Sequence, residues 1–285
     1  MSGGARPLFP VIILIVTLAA CVYPAIELAT SEEGTRLRDL TDLSQVLHLW
    51  RPLFISIAIY ALIRLLIAMN MAAQLRGLGD VLAGVAAWVG KLASFIILPL
   101  VACIMFDVIT RKIEYIKVRN AEITETYGFS VSFILQDFQW HMHGALLLLT
   151  LGFGYVYNSH VRVDIFREGA GRAGQVKIET FGLTILAIPF MLVMIGFSWD
   201  LFYASWKINE GSESMVGLGM RYIIKSFLIW GFCIALMAAL GTLIRCLLYT
   251  YGDHEEQAIA EDKIQFFTDN DAMANVIVEQ NEGGR

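Results

Sequence analysis

Two short polar stretches of the sequence carry residues whose types and spacing could do chemistry. In the first, His160, Arg162 and Asp164 alternate with aliphatic residues. An extended chain would place this imidazole, cation and carboxylate on one side and the aliphatic side chains on the other. Two interpretations stay open: a loop that dips its apolar side into lipid, or a polar clasp that holds a connection between helices to a partner.

The second polar stretch contains Ser205, Trp206, Glu210 and Ser212, and Lys225 follows it further along the chain. Its hydroxyls and its carboxylate suit the capping and turn chemistry that ends a helix. The sequence contains none of the motifs of a zinc protease, a serine hydrolase or a nucleotide-binding loop. We therefore expect that the protein is not an enzyme.

The apolar residues that must position these groups are gathered into long uncharged runs. The sequence is 57% hydrophobic and 16% charged, whereas a soluble domain carries about 25% charged residues. Three runs contain no charge: Pro7–Ile26, Thr180–Trp199 and Ser226–Ile244, with 20, 20 and 19 residues. About 20 helical residues cross the roughly 30 Å hydrocarbon layer. The sequence therefore predicts an all-α integral membrane protein.

Two further runs are long enough to span the membrane but contain one charge each. Pro52–Met71 contains Arg64, and Val81–Phe106 contains Lys91. An intramembrane charge is by default a candidate functional site. Both residues lie near helix ends, however, where a long side chain reaches the interface. We therefore expect Arg64 and Lys91 to reach the interface, or to pair with a neighbouring helix.

The region around residue 140 is predicted to hold two elements. Phe129–Gln139 mixes apolar and polar residues, is too short to span and predicts an interfacial amphipathic helix. Met142–Val156 has only 15 residues, and it becomes a span if Trp140 and Tyr157 are its aromatic belt residues. The predicted total is about six transmembrane helices.

These helices divide the chain into three parts. Residues 1–75 form an N-terminal extension with two membrane helices, residues 76–251 form a domain with four, and residues 252–285 form a tail. The first run also resembles a lipoprotein signal that ends at Cys21. Because apolar residues continue beyond Cys21, we expect an uncleaved helix.

The tail is strongly acidic, with Lys263 and Arg285 as its only basic residues. From about Glu255 onward we expect a solvated terminus with little packing. Val276, Ile277 and the stretch Ile264–Phe267 leave room for a short docking helix as an alternative. No basic patch elsewhere in the sequence indicates a nucleic acid as partner; the lipid bilayer is the expected surrounding.

Three polar segments and one lysine together form a pattern. The segments are Leu135-Gln136-Asp137-Phe138-Gln139-Trp140-His141, His160-Val161-Arg162-Val163-Asp164-Ile165-Phe166 and Ser205-Trp206-x-x-x-Glu210-x-Ser212, and the lysine is Lys225. In combination they resemble the small (Q) membrane subunit of tripartite ATP-independent periplasmic (TRAP) transporters. The resemblance covers roughly residues 81–251. The two helices of residues 1–75 are additions to the usual four, and their role is not predicted.

The resemblance implies a four-helix small permease subunit in the bacterial inner membrane, with both termini in the cytoplasm. Such a subunit pairs with a large (M) membrane subunit and with a periplasmic substrate-binding protein. It would brace the large subunit, which carries an organic acid inward by sodium symport. The chain itself would need no cofactor, only the sodium gradient that the complex uses. The motif residues would be structural or would contact the partner subunits.

Neither the substrate nor the orientation follows from the residues themselves. Substrate selectivity would belong to other subunits. Basic residues divide almost evenly between the two sides of a six-helix topology, so the positive-inside rule gives no orientation. The cytoplasmic placement of the termini is therefore implied by the resemblance alone.

One alternative class is a membrane anchor of an electron-transfer complex that binds b-type haem. Such a haem needs histidines at similar depth on facing helices. His141 and His143 lie at the start of the run Met142–Val156, and His160 lies at its other end. The runs Thr180–Trp199 and Ser226–Ile244 contain no histidine. The four cysteines form no Cys-x-x-Cys pair, so they predict no metal site. The haem anchor is kept as the alternative to the transporter subunit.

Overall fold

The computed structural model describes residues 43–159, 170–212, 217–264 and 267, with side-chain burial from Trp50 onward. Within these ranges the chain is helical and contains no strand. This confirms the predicted all-α class. The predicted first membrane helix, Pro7–Ile26, lies outside the described residues.

The helices of the described chain follow one another with short connections. In order they are α1 (Leu43–Ala68), α2 (Ala72–Ser94), α3 (Ile97–Lys112), α4 (Glu114–Tyr127), α5 (Val131–Val156), α6 (Arg172–Gly182), a π-helical turn (Leu183–Ala187), α7 (Ile188–Lys207), α8 (Tyr222–Tyr251) and α9 (His254–Lys263). The π-helical turn joins α6 and α7 into one continuous helical segment.

Four helical segments among the described residues are long and apolar enough to cross a membrane. They are Trp50–Ala68, Ala72–Lys112, Arg172–Lys207 and Tyr222–Tyr251. The predicted runs Val81–Phe106, Thr180–Trp199 and Ser226–Ile244 lie within these segments, and Pro52–Met71 overlaps the first of them but extends three residues beyond its end. Helix α5 contains the predicted run Met142–Val156 and is 26 residues long, but its first half mixes apolar and polar residues. The chain therefore has the character of a multi-pass membrane protein.

Two interruptions in the long helices coincide with prolines. A proline lacks the backbone N–H, and its ring collides with the carbonyl group four residues earlier. Before Pro99, the N–H of Ile96 donates to the carbonyl oxygen of Ala93 at 2.9 Å in a tight turn that separates α2 from α3. Before Pro189, the helix widens into the π-helical turn Leu183–Ala187. Membrane helices tolerate prolines through such local adjustments.

The predicted interfacial helix and the predicted fourth span are a single element. Helix α5 begins at Val131, inside the predicted interfacial helix Phe129–Gln139. It continues without a break to Val156 and so includes the predicted span Met142–Val156. No proline or glycine occurs between Val131 and His143, and a fall in hydropathy does not by itself end a helix. The predicted boundary near residue 140 is therefore wrong.

Two other features differ from the sequence prediction. Pro52 is predicted in the first turn of its span, but α1 begins at Leu43 and contains Pro52 within it. Helix α4 was not predicted, because five of its 14 residues are charged and it has no apolar run; none of its side chains is buried. It ends at Gly128, whose φ of 73° is left-handed, as is common at helix C-termini.

One compact unit comprises Met1–Ala83, Val156–Leu192 and Ala239–Arg285. In its described part, α2 and the second half of α8 come close at two glycines. A Cβ atom added to Gly241 would lie 3.0 Å from the carbonyl oxygen of Gly79. Small residues at such a crossing let backbones approach, which drives helix association in lipid.

The other compact unit comprises Gly84–Tyr155 and Val193–Ala238. Here α5 and the first half of α8 make the same kind of close approach. A Cβ atom added to Gly152 would lie 2.7 Å from the side chain of Ile234. Because no space is left for a larger residue, glycine is needed at this crossing.

Helix α8 is the most deeply buried of the candidate spans. In its most apolar stretch 44% of the residues are buried, compared with 17% to 22% in the other three. In the other spans few residues are fully buried, and several large apolar side chains are exposed, including Trp88, Phe95, Leu98 and Phe190. In a membrane protein these exposed sides face lipid or partner helices.

The first part of the tail packs back onto its unit. Ile264 and Phe267 are almost fully buried in a cluster with Val176 and Cys246. The ring of Phe267 contacts that of Tyr249 edge to face, with 5.6 Å between centroids. The predicted solvated terminus with little packing is therefore wrong up to Phe267. Residues 268–285 lie outside the described part of the chain.

Charged pairs reinforce this docking of α9. Lys263 Nζ donates to Asp80 Oδ2 at 2.6 Å, and Arg245 Nη2 donates to Asp80 Oδ1 at 3.2 Å. One carboxylate of α2 thus joins α8 and the end of α9. Two further ion pairs hold α9: Glu256 with Arg76, and Glu261 with Arg172.

Candidate functional site

The end of α7 is closed by a helix-capping motif that explains part of the sequence pattern. The N–H of Glu210 donates to the carbonyl oxygen of Ser205 at 3.1 Å, and the N–H of Asn209 donates to that of Trp206 at 3.1 Å. Asn209 has a left-handed φ of 47°. These two bonds and the left-handed residue define a Schellman motif. Asparagine is one of the few residues that adopt this conformation at low cost.

The side chains of the same motif form a polar cluster. Ser205 Oγ donates to Glu210 Oε2 at 2.6 Å, and Lys225 Nζ donates to the same oxygen. The N–H of Arg221 donates to the carbonyl oxygen of Glu210 at 2.9 Å. Three predicted site residues, Ser205, Glu210 and Lys225, are thus brought together, and they tie the end of α7 to the start of α8.

Hydrogen bonds stabilise the charged form of this carboxyl group. The hydrogen bonds from Lys225 and Ser205, in that order, hold the pKa of Glu210 below its usual value. Ser205 is only 2% exposed, whereas the side chains of Glu210 and Lys225 are 27% and 23% exposed. The buried hydroxyl therefore depends on Glu210 more strictly than the ammonium group does.

A second contact links α5 to the connection that follows the capping motif. Asp137 Oδ2 accepts a hydrogen bond from the N–H of Leu218 at 2.8 Å. The ring of His141 donates from Nδ1 to the carbonyl oxygen of Asp137 at 2.5 Å. Its Nε2 is buried and has no hydrogen-bond partner within the described residues. Asp137 was part of the sequence pattern but was not predicted as a site residue.

His141 lines a polar pocket of about 620 Å³. The pocket also contains Ser212, Arg221 and Trp140. The side chain of Trp140 is 79% exposed, as suits a residue at an interface. The predicted site residues Trp140, His141 and Ser212 therefore meet around one pocket, together with Arg221, which sequence reasoning missed.

Gln139 belongs to a different cluster, around a buried carboxylate. Asp107 is 4% exposed and accepts hydrogen bonds from Arg111 Nε at 3.1 Å and Ser132 Oγ at 3.1 Å. Gln139 Nε2 donates to it at 3.5 Å. Asp107 directly follows the predicted run Val81–Phe106 and was not predicted as a site residue. The i,i+4 spacing of Asp107 and Arg111 was the sequence signal that could have identified the pair.

The remaining predicted residues stand apart from these clusters. Trp206 is 55% exposed, and Lys91 is exposed near the end of α2. The guanidinium group of Arg64 lies 4.0 Å from the centroid of the Tyr251 ring, a cation–π contact with α8. The predicted clasp residues His160, Arg162 and Asp164 lie outside the described residues, so the clasp stays a prediction.

Within the described ranges, no group of three or more histidine, cysteine, aspartate or glutamate side chains could hold a metal ion. Comparison of the chain with protein-family models, with curated proteins and with solved structures found no match. The arrangement offers hydrogen bonds and ion pairs that join helix ends, which is chemistry suited to holding helices and partners in place.

Proposed function

We propose that the chain is the small permease subunit of a TRAP transporter. In this proposal it is not an enzyme, and it braces a large membrane subunit during sodium-coupled uptake of an organic acid delivered by a periplasmic binding protein. The proposal places it in the bacterial inner membrane. The resemblance of the motif residues to the Q subunit is the basis of the proposal.

One observation supports the proposal above the others. Ser205, Glu210 and Lys225, selected from the sequence pattern alone, converge on a single carboxylate oxygen. Their spacing follows from a capping motif at the end of α7 and from the position of α8. The pattern therefore marks a physical unit that fixes two neighbouring membrane helices, which is what a bracing subunit requires.

The distribution of apolar surface is also consistent with bracing. Few residues of three candidate spans are fully buried, and α8 has the largest buried share, 44% in its most apolar stretch. Exposed apolar sides alone do not separate lipid from partner helices. In lipid, however, association between helices depends on close van der Waals contact and scattered polar links, and these surfaces offer the area for it.

The proposed topology has six membrane helices. Helix α5 is 26 residues long, or about 39 Å at 1.5 Å per residue, which is enough to cross the bilayer despite the polar residues in its first half. With Pro7–Ile26 as the first helix, both termini lie in the cytoplasm, and the connection that contains Gly211 lies in the periplasm.

A labelling experiment tests this orientation. Gly211 is exposed and has open space around it, so Gly211→Cys should be tolerated. We expect a membrane-impermeant maleimide to label this cysteine in intact cells, through the outer membrane. Labelling that appears only after the inner membrane is opened would contradict the orientation.

Reconstitution tests the function itself. We expect proteoliposomes to accumulate an organic acid from a test panel only when this chain, a large permease subunit and a binding protein are all present under an inward sodium gradient. Uptake by this chain alone, or undiminished uptake without it, would show that the assignment is wrong. A Soret band in the purified protein would favour the haem anchor instead.

A further inference from the structure

The α6–π segment is the continuous helix formed by α6 and the π-helical turn (Arg172–Ala187). An apolar groove of about 400 Å³ lies between α1, this segment and the end of α8. Ile57 and Tyr60 of α1 form one wall, and Leu247 and Tyr251 of α8 form another. Its volume is within the range of about 300–1,000 Å³ that is usual for small-molecule sites. One wall of the groove is thus built by a helix that the four-helix resemblance does not account for.

The groove has a cationic end. Lys177, which lines it, lies five residues after the start of α6. Arg64, which stacks on Tyr251, lies four residues before the end of α1. Cations near the ends of membrane helices reach the level of the lipid headgroups. The positive end of the groove therefore lies where phosphate groups of lipids are found.

Two buried hydroxyl groups in the groove need hydrogen-bond partners. Oγ1 of Thr180 and Oγ1 of Thr184 are buried and have no partner in the part of the chain that the structure describes. Thr184 is 93% buried, since only 7% of it is exposed, and both residues line the groove. Buried polar groups are nearly always satisfied, so these hydroxyls indicate a ligand with acceptor atoms.

The spacing of these groups matches an amphiphile. Lys177, Thr180 and Thr184 lie at i, i+3 and i+7, on one side of the helix. Along the helix axis they cover about 10 Å at 1.5 Å per residue. The groove thus offers a charged end, two hydroxyl donors further along the same helix and apolar walls beside them, which are the groups that suit the phosphate, the ester carbonyls and an acyl chain of a phospholipid.

We propose that this groove binds one anionic phospholipid. Its phosphate pairs with Lys177, its ester carbonyl oxygens accept hydrogen bonds from Thr180 and Thr184, and one acyl chain lies against Ile57, Phe181 and Leu247. The bound lipid fills the space between α1 and the α6–π segment, which also contact each other directly through the bond from Ser56 Oγ to the Thr184 carbonyl oxygen at 2.6 Å. This role of α1 is independent of the proposed transport function.

Native mass spectrometry of the full chain in detergent tests the proposal. The probes are dioleoyl phosphatidylglycerol, dioleoyl phosphatidylcholine with the same acyl chains, and inorganic phosphate. We expect one phosphatidylglycerol to bind per chain, phosphatidylcholine to bind more weakly and inorganic phosphate not to bind. Equal binding of the two lipids, or binding of phosphate alone, would overturn the proposal.

Variants locate the site. Lys177→Gln should raise the Kd for phosphatidylglycerol about fivefold, because one cation near the membrane surface contributes on the order of a fivefold preference for anionic lipid. Its Kd for phosphatidylcholine should rise less, because the choline ammonium group of that lipid already neutralises the phosphate. The matched control is Lys112→Gln, which removes an exposed cation at the end of α3 that does not line the groove, and it should leave both affinities unchanged.

A second variant tests the hydroxyl donors without changing charge or shape. Thr184→Val should weaken the binding of both lipids to the same extent, because both carry ester carbonyls. Thermal melting identifies any variant that fails to fold. If Lys177→Gln and Thr184→Val fold and bind phosphatidylglycerol as the unchanged chain does, the lipid does not occupy this groove and the proposal is wrong.

Discussion

Replacement of Glu210 by alanine should destabilise the protein by an amount that can be worked out from the two donors it serves. The hydroxyl of Ser205, a residue 2% exposed, would lose its acceptor, which costs about 1–3 kcal/mol. The Lys225 side chain is 23% exposed and can take up water, so the lost ion pair adds at most about 1 kcal/mol. We expect a total of about 2–3 kcal/mol for Glu210→Ala.

The conservative replacement separates the two contributions. Glu210→Gln keeps an oxygen that can accept from Ser205 and loses only the charge that faces Lys225. It should cost about 1 kcal/mol or less. The matched control is Glu125→Ala, which removes an exposed glutamate on α4 and should change stability by less than about 0.5 kcal/mol.

The measurement is the melting temperature of the purified chain in detergent. One kcal/mol shifts the melting temperature of a domain of this size by about 2–4 °C, so Glu210→Ala should lower it by roughly 5–10 °C. If Glu210→Ala has the same melting temperature as the control Glu125→Ala, the cluster does not hold α7 to α8. If Glu210→Gln is as harmful as Glu210→Ala, the charge and not the buried hydroxyl dominates, and the reasoning from burial fails.

Three other measurements test the remaining contacts. The pKa of Glu210 is lowered on folding, so its charge should stabilise the fold fully above the usual pKa of 4.5. This stabilisation should be lost as the pH falls through the lower pKa of the folded protein. A difference in melting temperature between the unchanged chain and Glu210→Gln that grows in acid would contradict this. Phe267→Ala should cost about 3 kcal/mol and Phe197→Ala, at a 66% exposed position, much less; equal melting temperatures would show that the tail is not docked. Gly241→Leu should lower the melting temperature, because it prevents the close approach of α2 and α8. Gly196→Leu should be tolerated, because nothing lies within 4 Å of a Cβ atom added there. A lower melting temperature for Gly196→Leu than for Gly241→Leu would refute this packing.

The membrane helices were predictable because their signal depends on length and the absence of charge. Thr180–Trp199 and Ser226–Ile244 lie inside the observed candidate spans Arg172–Lys207 and Tyr222–Tyr251. Their ends were not predictable in the same way, since charged residues such as Arg172 and Lys207 continue a helix beyond the hydrocarbon layer. Hydropathy therefore locates a span but not the bounds of its helix.

The candidate site was predictable only as a set of residues. The sequence pattern singled out Ser205, Glu210 and Lys225, but not that they meet at one oxygen. Asn209, which precedes the glutamate, was the local signal for a left-handed cap and was overlooked. The partners of Gln139 and His141 depend on the packing of α3, α5 and the connection before α8, which a single sequence does not encode in any short spacing.

The acidic tail shows why composition misled. Its negative residues suggested solvation, but Glu256, Glu261 and the nearby Lys263 have charged partners on α2 and α6. The apolar residues after α9 were too few to predict a buried cluster. The tail packs because residues of opposite charge lie on helices far away in the sequence. The composition of the tail alone contains no information about those residues.

The docking of α9 has a consequence for the order in which the protein can be completed during synthesis. Asp80 is translated early, whereas its partner Lys263 follows all four described candidate spans in the sequence. Until the chain has been made as far as Phe267, Arg76 and Arg172 lack the partners that α9 supplies, and the cluster around Val176 lacks Ile264 and Phe267. This contact can therefore close only after the described candidate spans have been synthesised, as a local folding step of the unit that contains it.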